Sequence, residues 1–252
     1  MPGMGTLVNV LAVLAGTSVG LLIKGGMKPR FEKTVMSAIG LVTFFIGISG
    51  AVTQMVVVAQ DGSLSSRYTM LMILCLVVGA FIGEGIDIER RLDGLGEWCK
   101  GRLKLRSAAG SHFVEGFVSS SLLFCVGAMA IVGSLEDGLS HDPTNLYAKS
   151  VMDGVAAVLF AASLGVGVYF SCLSLAVYQG GITLLAGVIR PYLSEAVISQ
   201  MSFIGSILIF ALGFNLVFGK KVKVGNLLPA MFLPILFDLL ASWWPWFASI
   251  YG

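Results

Sequence analysis

Residues 149–178 read Lys149-Ser-Val-Met-Asp-Gly-Val-Ala-Ala-Val-Leu-Phe-Ala-Ala-Ser-Leu-Gly-Val-Gly-Val-Tyr-Phe-Ser-Cys-Leu-Ser-Leu-Ala-Val-Tyr178. From Val155 to Tyr178 there are 24 residues without a charge, more than the roughly 20 apolar residues that cross a bilayer. Lys149 and Asp153 stand just before this run, and their spacing of four puts them on one face of a helix. The segment therefore predicts a membrane-spanning helix whose mouth carries the strongest candidates for chemistry in the chain.

The composition of the whole chain agrees with a place in the membrane. Of its 252 residues, 56% are hydrophobic and 12% are charged, and the mean hydropathy is +0.91. A soluble domain carries roughly twice this share of charge. We therefore expect an all-α, polytopic transmembrane helix bundle, and nothing supports nucleic-acid binding. The four cysteines show no paired spacing, which favours small buried side chains over a disulfide or a zinc site.

Eight stretches are long and apolar enough, or nearly so, to cross a bilayer within one integral domain covering residues 1–252. They are residues 6–23, 35–58, 68–86, 113–135, 146–169, 172–189, 197–218 and 227–247. The fifth and sixth are joined by almost nothing, which leaves a seven-span alternative. Together they are too long for one crossing, however, and Gly180-Gly181 marks a weak point in the sixth.

The distribution of basic residues tests this count. If the N-terminus is outside, the odd-numbered connections are cytoplasmic and hold 13 of the 16 basic residues. These are Lys24, Lys28, Arg30, Lys33, Arg90, Arg91, Lys100, Arg102, Lys104, Arg106, Lys220, Lys221 and Lys223. The positive-inside rule expects this asymmetry. The rule therefore predicts eight spans with both termini outside. A seven-span model would put the basic cluster at residues 220–223 on the outer side of the membrane.

Two segments are expected at the membrane surfaces. Residues 88–106 repeat Ile88, Leu92, Leu95 and Cys99 at helical spacing among basic residues, which predicts an amphipathic helix on the cytoplasmic leaflet. A solvated basic linker is the alternative. At the other face, an aromatic cluster anchors the last span in the interface; its members are Trp243, Trp244, Trp246, Phe247 and Tyr251.

Small residues predict close helix packing. Gly16 and Gly20 in the first span, and Gly79 and Gly83 in the third, form Gly-x-x-x-Gly pairs that let backbones approach. Packing within one chain and packing in a homo-oligomer are both open. Similar Gly patterns in spans one–two and three–four suggest a duplication, a frequent feature of transporters.

Ionisable residues inside spans are costly and require a reason. Glu84 and Glu115 lie near basic loops, which favours ion pairs at the interface. Asp238 is expected near the midplane, where Pro234 leaves the carbonyl of Ala230 without a donor. It is then either a cation or proton site, or a protonated side chain bonded to a neighbouring helix.

Asp153 follows an acidic connection, residues 136–145, that would concentrate cations at an outer mouth. A structural Lys149–Asp153 pair is the alternative. Asp153 and Asp238 are the candidate metal or cation ligands, and polar uncharged side chains supply the rest of the pathway: Asn9, Ser150, Gln179 and Asn215. No nucleophile–base pair, phosphate loop or His/Cys cluster is present in the sequence, so we expect neither an enzyme nor a cofactor.

Several segments together carry a resemblance to a known family. They are Gly5-Thr-Leu-Val-Asn9, Asp87-Ile-Glu-Arg-Arg-Leu-Asp-Gly-Leu-Gly96, Gly127-Ala-Met-Ala-Ile-Val-Gly-Ser-Leu-Glu-Asp-Gly138, Lys149-Ser-Val-Met-Asp-Gly154 and Gly225-Asn-Leu-Leu-Pro-Ala230. With them the chain resembles the bacterial YdfK/YqgA-type membrane proteins, a domain of unknown function. The resemblance implies a bacterial inner-membrane protein and brings no substrate. More loosely, Ser150-Val-Met-Asp153-Gly154 is similar to the Ser-x-x-Asp-Ala motif of manganese exporters and their amino-acid exporter relatives.

These observations favour a transporter or channel for a small cation, with the lipid bilayer and the ion as its partners. Two alternatives stay open: a membrane scaffold or sensor assembled through Gly-rich helices, and an exporter of a small organic solute. Unpaired polar groups inside the spans favour transport, and fully paired groups favour a scaffold.

Overall fold

The computed structural model describes residues 3–25, 28–58, 61–94 and 112–243, and the chain there is almost entirely helical. Apolar segments in a bilayer adopt helices because the backbone then satisfies its own hydrogen bonds. The α-helices are α1 (Met4–Gly25), α2 (Pro29–Met55), α3 (Thr69–Ile86), α4 (residues 88–94), α5 (Phe113–Cys125), α6 (Ala128–Leu139), α7 (Thr144–Leu164), α8 (Gly167–Leu184), α9 (Ala186–Ile189), α10 (Glu195–Phe218), α11 (Val224–Leu227) and α12 (Leu233–Trp243). The predicted all-α polytopic bundle is confirmed.

Short elements connect the long helices. Strands β1 (Val56–Val58) and β2 (Leu64–Ser66) form an antiparallel hairpin between α2 and α3. Two 3-10 helices, Arg190–Tyr192 and Leu228–Phe232, precede α10 and α12. The second predicted span therefore ends at Met55, because the β-branched run Val56–Val58 pairs as a strand.

Among the described residues, seven helical segments are long and apolar enough to cross a membrane, and α5 and α6, bent by 60° to each other, make an eighth if they are one span. The contacts of α5 and α6 with α8 indicate that these two helices form one broken span. The start of α5 touches the start of α8, at Phe113 and Gly167, while Gly138 near the end of α6 touches Thr183 near the end of α8. The break falls at Gly127, whose φ of 125° other residues rarely adopt.

The bundle is organised by two long helix pairs, α1 with α7 and α2 with α10. A methyl group on Gly16 or Gly20 would overlap the backbone of α7, and one on Gly79 or Gly83 would overlap Ala230 or Asn226. All four predicted packing glycines thus serve contacts within the chain. Helices α1 and α7 run parallel, since Gly5 meets Leu146 and Gly20 meets Val158.

Basic residues gather at one end of the bundle, called here the basic end. Lys24 donates to the carbonyl of Ser163 at the end of α7 (2.6 Å), and the α10–α11 loop bonds α3 and α4 through Lys223–Glu84 and Lys220–Glu89. The N-terminus of α1, the hairpin and the α6–α7 connection lie at the other end, here the N-terminal end, because α1 and α7 both run from there to the basic end. This two-ended arrangement agrees with eight crossings.

Two expected details differ in the structure. The fifth and sixth spans separate at Gly165-Val166, where Gly165 has φ 81°, and not after Tyr169. Gly180-Gly181 lies within the continuous helix α8 and does not break it. Part of the predicted amphipathic connection, residues 95–106, and of the aromatic cluster, residues 244–251, falls outside the described residues.

The described cysteines are free and buried, as expected from their spacing: Cys75, Cys125 and Cys172.

Candidate functional site

Four polar side chains from three helices meet inside the bundle, and we call them the buried polar cluster. Lys149 and Asp153 on α7 form an ion pair one helical turn apart. The amide nitrogen of Asn9 on α1 donates to Asp153 Oδ2 (2.9 Å) and to Gln179 Oε1 on α8 (3.1 Å). Three of the predicted pathway residues therefore surround Asp153.

The cluster is shielded from the surroundings. Asn9 and Gln179 are fully buried, and Lys149 and Asp153 are each 6% exposed. Close packing of α1 on α7 contributes to this, since Gly16 lies directly against the backbone of Gly154, next to Asp153. An ion pair in such a place has lost its hydration, so its net contribution to stability depends on the further hydrogen bonds that its two groups make.

Those partners leave hydrogen-bonding capacity unused. Among the described residues, Asn9 Oδ1 and Gln179 Nε2 are buried without a hydrogen-bond partner, as are the hydroxyls of Thr6 and Thr183. Thr6 and Gln179 lie close together, because the methyl group of Thr6 faces Gly180. The cluster thus offers one amide acceptor, one amide donor and two hydroxyls beyond the contacts it already makes, and a small polar ligand or water could use them.

The break in the α5–α6 span lies near this cluster. Cys125, the last residue of α5, is close enough to interact electrostatically with both Lys149 and Asp153. Val126 and Gly127 follow it in non-helical conformations. A broken helix exposes backbone groups that an unbroken span would satisfy internally.

Ser150 does not point its hydrogen bond into the cluster. Its hydroxyl donates back to the carbonyl of Leu146 at 2.6 Å, a common arrangement within a helix.

Asp137 belongs to the acidic connection that was expected to form an outer mouth, but its side chain is turned into the protein. It is fully buried, and its Oδ2 accepts from the backbone nitrogens of Gly3 and Gly5, each at 3.1 Å. It therefore binds the positive end of α1. Asp142 stays at the surface and accepts from the Thr144 backbone nitrogen (3.0 Å), which lowers the pKa of its carboxyl. Only a part of the expected acidic mouth is thus solvent-facing.

Asp238 is not brought to the cluster. It lies on the exposed side of α12, because its neighbour Phe237 turns inward into the core and successive helical residues are about 100° apart. Among the described residues it has no hydrogen-bond partner, so the alternative of a side chain bonded to a neighbouring helix is not seen there. Asp153 and Asp238 consequently do not share an ion site, and no three His, Cys, Asp or Glu side chains of the described chain are grouped to hold a metal.

The remaining predicted residues lie at the basic end. Glu84 forms an ion pair with Lys223 and accepts from Asn226, each at 2.5 Å, and Glu115 lies within hydrogen-bond distance of His112 (2.9 Å). The interfacial role expected of both residues stays a prediction. Asn215 bonds the backbone of the α10–α11 loop through three contacts of 2.7–3.0 Å to Lys221 and Val222. Its amide shapes a loop and is not free to bind an ion.

A cavity of about 510 Å³ opens between α2, α4, α5, α10 and α11 at this end, and we call it the basic-end cavity. Ionisable side chains at its walls are Glu89, Asp93, His112, Glu115 and Lys220. Deeper in, it is lined by Val118, Leu212 and the hydroxyl of Ser119. Sequence patterns could not reveal it, since five separate segments form it.

Comparison with known proteins identifies the family. The model of the family described as Protein of unknown function (DUF554) matches residues 4–239. The chain belongs to this family. It is 30% identical over 230 residues to the uncharacterized membrane protein YdfK of Bacillus subtilis, covering 91% of this chain and 93% of that one. It is 29% identical over 246 residues to the uncharacterized protein YqgA of Escherichia coli, with 97% and 99% covered.

No solved structure matches the chain. The family match and the two relatives confirm the resemblance drawn from the sequence motifs. The protein is a membrane protein of this family. The arrangement of its polar side chains is therefore the main guide to its activity.

Proposed function

We propose that the protein is a transporter for a small cation and that Asp153 is the carboxylate that binds it. The observation that carries the proposal is the buried polar cluster. Inside a membrane bundle a carboxylate is energetically unfavourable, and here it is bonded by Lys149 and by Asn9, which Gln179 in turn bonds. Such intramembrane ionisable groups mark ion pathways and proton relays.

Lys149 has a direct part in the proposed mechanism. Its ammonium group neutralises Asp153 while no other cation is present. This attraction offsets the free-energy cost of removing the carboxylate from water. When a cation binds, it replaces Lys149 at Asp153 Oδ2, and Asn9 turns its unused Oδ1 to the ion. Release returns Lys149 to the carboxylate.

The broken α5–α6 span supports a transporter over a rigid scaffold. Transporter sites commonly lie beside discontinuous helices, whose free ends can rearrange. The α5 segment also runs from the basic-end cavity, at Glu115 and Ser119, to Cys125 beside the cluster. One helix thus links the two polar regions of the bundle.

The distribution of charge suggests the orientation. By the positive-inside rule the basic end faces the cytoplasm of a bacterial inner membrane, and both termini face outward. The cluster then lies nearer the outer surface.

Tracer flux in proteoliposomes tests the proposal, with Na⁺, K⁺, Mg²⁺ and Mn²⁺ offered separately. The deciding variant is Lys149→Met with Asp153→Asn, because it removes both charges together and leaves no buried ion unpaired. We expect wild-type protein to move one of these ions and the double variant to fall to the level of empty liposomes. Asp153→Glu should retain part of the flux.

Asp61→Asn is the matched control, since Asp61 bonds only Ser63 in the exposed hairpin loop. Its flux should equal that of wild type. Unchanged flux in the double variant would show that Asp153 is not on the pathway. Absence of flux from folded wild-type protein for every ion would refute cation transport itself.

A further inference from the structure

The charged wall of the basic-end cavity holds more carboxylates than cations. Lys220 contacts Glu89 at 2.7 Å and Asp93 at 3.9 Å. The hydrogen bond from Lys220 to Glu89, with the charges of Glu89, Asp93 and Glu115, raises the pKa of Lys220 above its ordinary 10.5. Among the described residues that line the cavity, one lysine therefore faces three carboxylates, and His112 is the only other basic group.

The deeper part of the cavity has a different character. Val118, Leu212 and Leu216 make an apolar wall, and Ser119 stands one turn beyond Glu115 on the same face of α5. The Ser119 hydroxyl is 1% exposed and has no hydrogen-bond partner within the described part of the chain. A buried hydroxyl left unpaired is unfavourable, so its position indicates a ligand or water that bonds it.

From these features we infer that the basic-end cavity binds an organic ammonium ion, a compound with one positive group and an apolar body. The excess of carboxylates selects a positive charge and disfavours an anion. The volume of about 510 Å³ lies in the range of small-molecule sites and far exceeds what a bare metal ion fills. The site is separate from the buried polar cluster, and its occupation does not depend on cation transport.

Lys220 occupies the place of the ligand's positive group when the cavity is empty. Its side chain is 59% exposed and can swing outward. The ligand's ammonium then takes over the contacts with Glu89 and Asp93, while the apolar body lies against Val118 and Leu212. Lys220 is thus a competitor of the ligand, and removing it favours binding.

Equilibrium binding of tritium-labelled tyramine to the full chain in nanodiscs tests this inference. Tyramine is compared with tyrosol, its neutral analogue, and with tyrosine, its zwitterionic analogue. We expect saturable binding of tyramine, with at least about tenfold weaker binding of the other two, since three carboxylates facing one lysine favour a ligand with a net positive charge.

Two sets of variants separate the site from general effects on folding. Lys220→Met should tighten tyramine binding about tenfold, and Asp93→Asn with Glu115→Gln should weaken it by a similar factor. Lys223→Met is the matched control: it removes a lysine from the same loop, but that lysine pairs with Glu84 and does not line the cavity. Its affinity should equal that of wild type.

Equal binding of tyrosol and tyramine would overturn the inference, as would tighter binding of tyrosine. So would an unchanged or weakened affinity in Lys220→Met. A gain of affinity cannot come from damage to the fold, which makes this variant the most informative.

Discussion

Two lysine–carboxylate pairs, Lys149–Asp153 and Lys220–Glu89, use the same chemistry in opposite surroundings. In the first, the side chains are 7% and 9% exposed; in the second, they are 59% and 16% exposed. The first is enclosed by the α1–α7 contact and bonded by Asn9, whereas water reaches the second from the cavity mouth. The surroundings of each pair, and not its chemistry, therefore decide how much it contributes to the stability of the fold.

The physical difference is the cost of removing one partner. An isolated charge left in a dry interior costs about 3–5 kcal/mol, because it has neither water nor a counter-ion. A solvent-exposed pair contributes about 0–1 kcal/mol, since water screens and replaces the lost contact. Mutations of the two pairs should therefore differ strongly, and three predictions test this contrast.

The largest effect is expected at the buried pair. Lys149→Met alone, or Asp153→Asn alone, should lower the free energy of unfolding by about 3–5 kcal/mol, and the double variant should recover most of this loss. Chemical unfolding in mixed micelles measures it. Single variants as stable as wild type would mean that water reaches the pair and that the contrast between the two regions is wrong.

A middle-sized effect is expected where α1 is pressed against α7. Gly16→Ala should lower the free energy of unfolding by about 1–3 kcal/mol, because a methyl group there overlaps the Gly154 carbonyl beside Asp153. Gly181→Ala is the matched control in α8: open space surrounds its Cβ position, so it should be neutral or stabilise by up to about 1 kcal/mol.

Thermal unfolding of both variants under one condition compares these two sites. Equal stability of Gly16→Ala and Gly181→Ala would show that α1 does not need its close approach to enclose the buried pair.

The smallest effect is the pH dependence that Lys220 gives to stability. The pKa of Lys220 is raised in the folded protein by Glu89, so its contribution is complete below the unfolded pKa of about 10.5 and is lost as the pH rises through the folded value. Solvent screening keeps it below about 1 kcal/mol. Between about pH 9 and 12, the unfolding temperature of Lys220→Met should fall less steeply than that of wild type.

The unfolding temperature of Lys223→Met should show a similar flattening, since the pKa of Lys223 is also raised, chiefly by its hydrogen bond to Glu84. If Lys220→Met followed the wild-type curve at every pH, the Lys220–Glu89 contact would make no net contribution.

Much of this molecule follows from local sequence. Long uncharged runs predict membrane helices because a bilayer admits no unsatisfied backbone, and the basic loops predict a common end for the helices that they join. The Lys149–Asp153 pair was one of two alternatives readable from a spacing of four, since a helix brings such residues together by itself. The spacing of Gly16 and Gly20 likewise puts both on one face of a helix and predicted that another helix packs closely there. The sequence did not indicate that this helix is α7.

Contacts between distant segments were decided only by the tertiary structure. Asn9 and Gln179 meet although they are 170 positions apart, and each would be an ordinary polar residue of its own helix. The rotation of α12 turns Asp238 outward, and a single residue, Gly127, breaks a span that looks continuous in hydropathy. Composition and periodicity fix which faces of a helix are apolar, but which helix covers each face depends on packing between segments far apart in the chain.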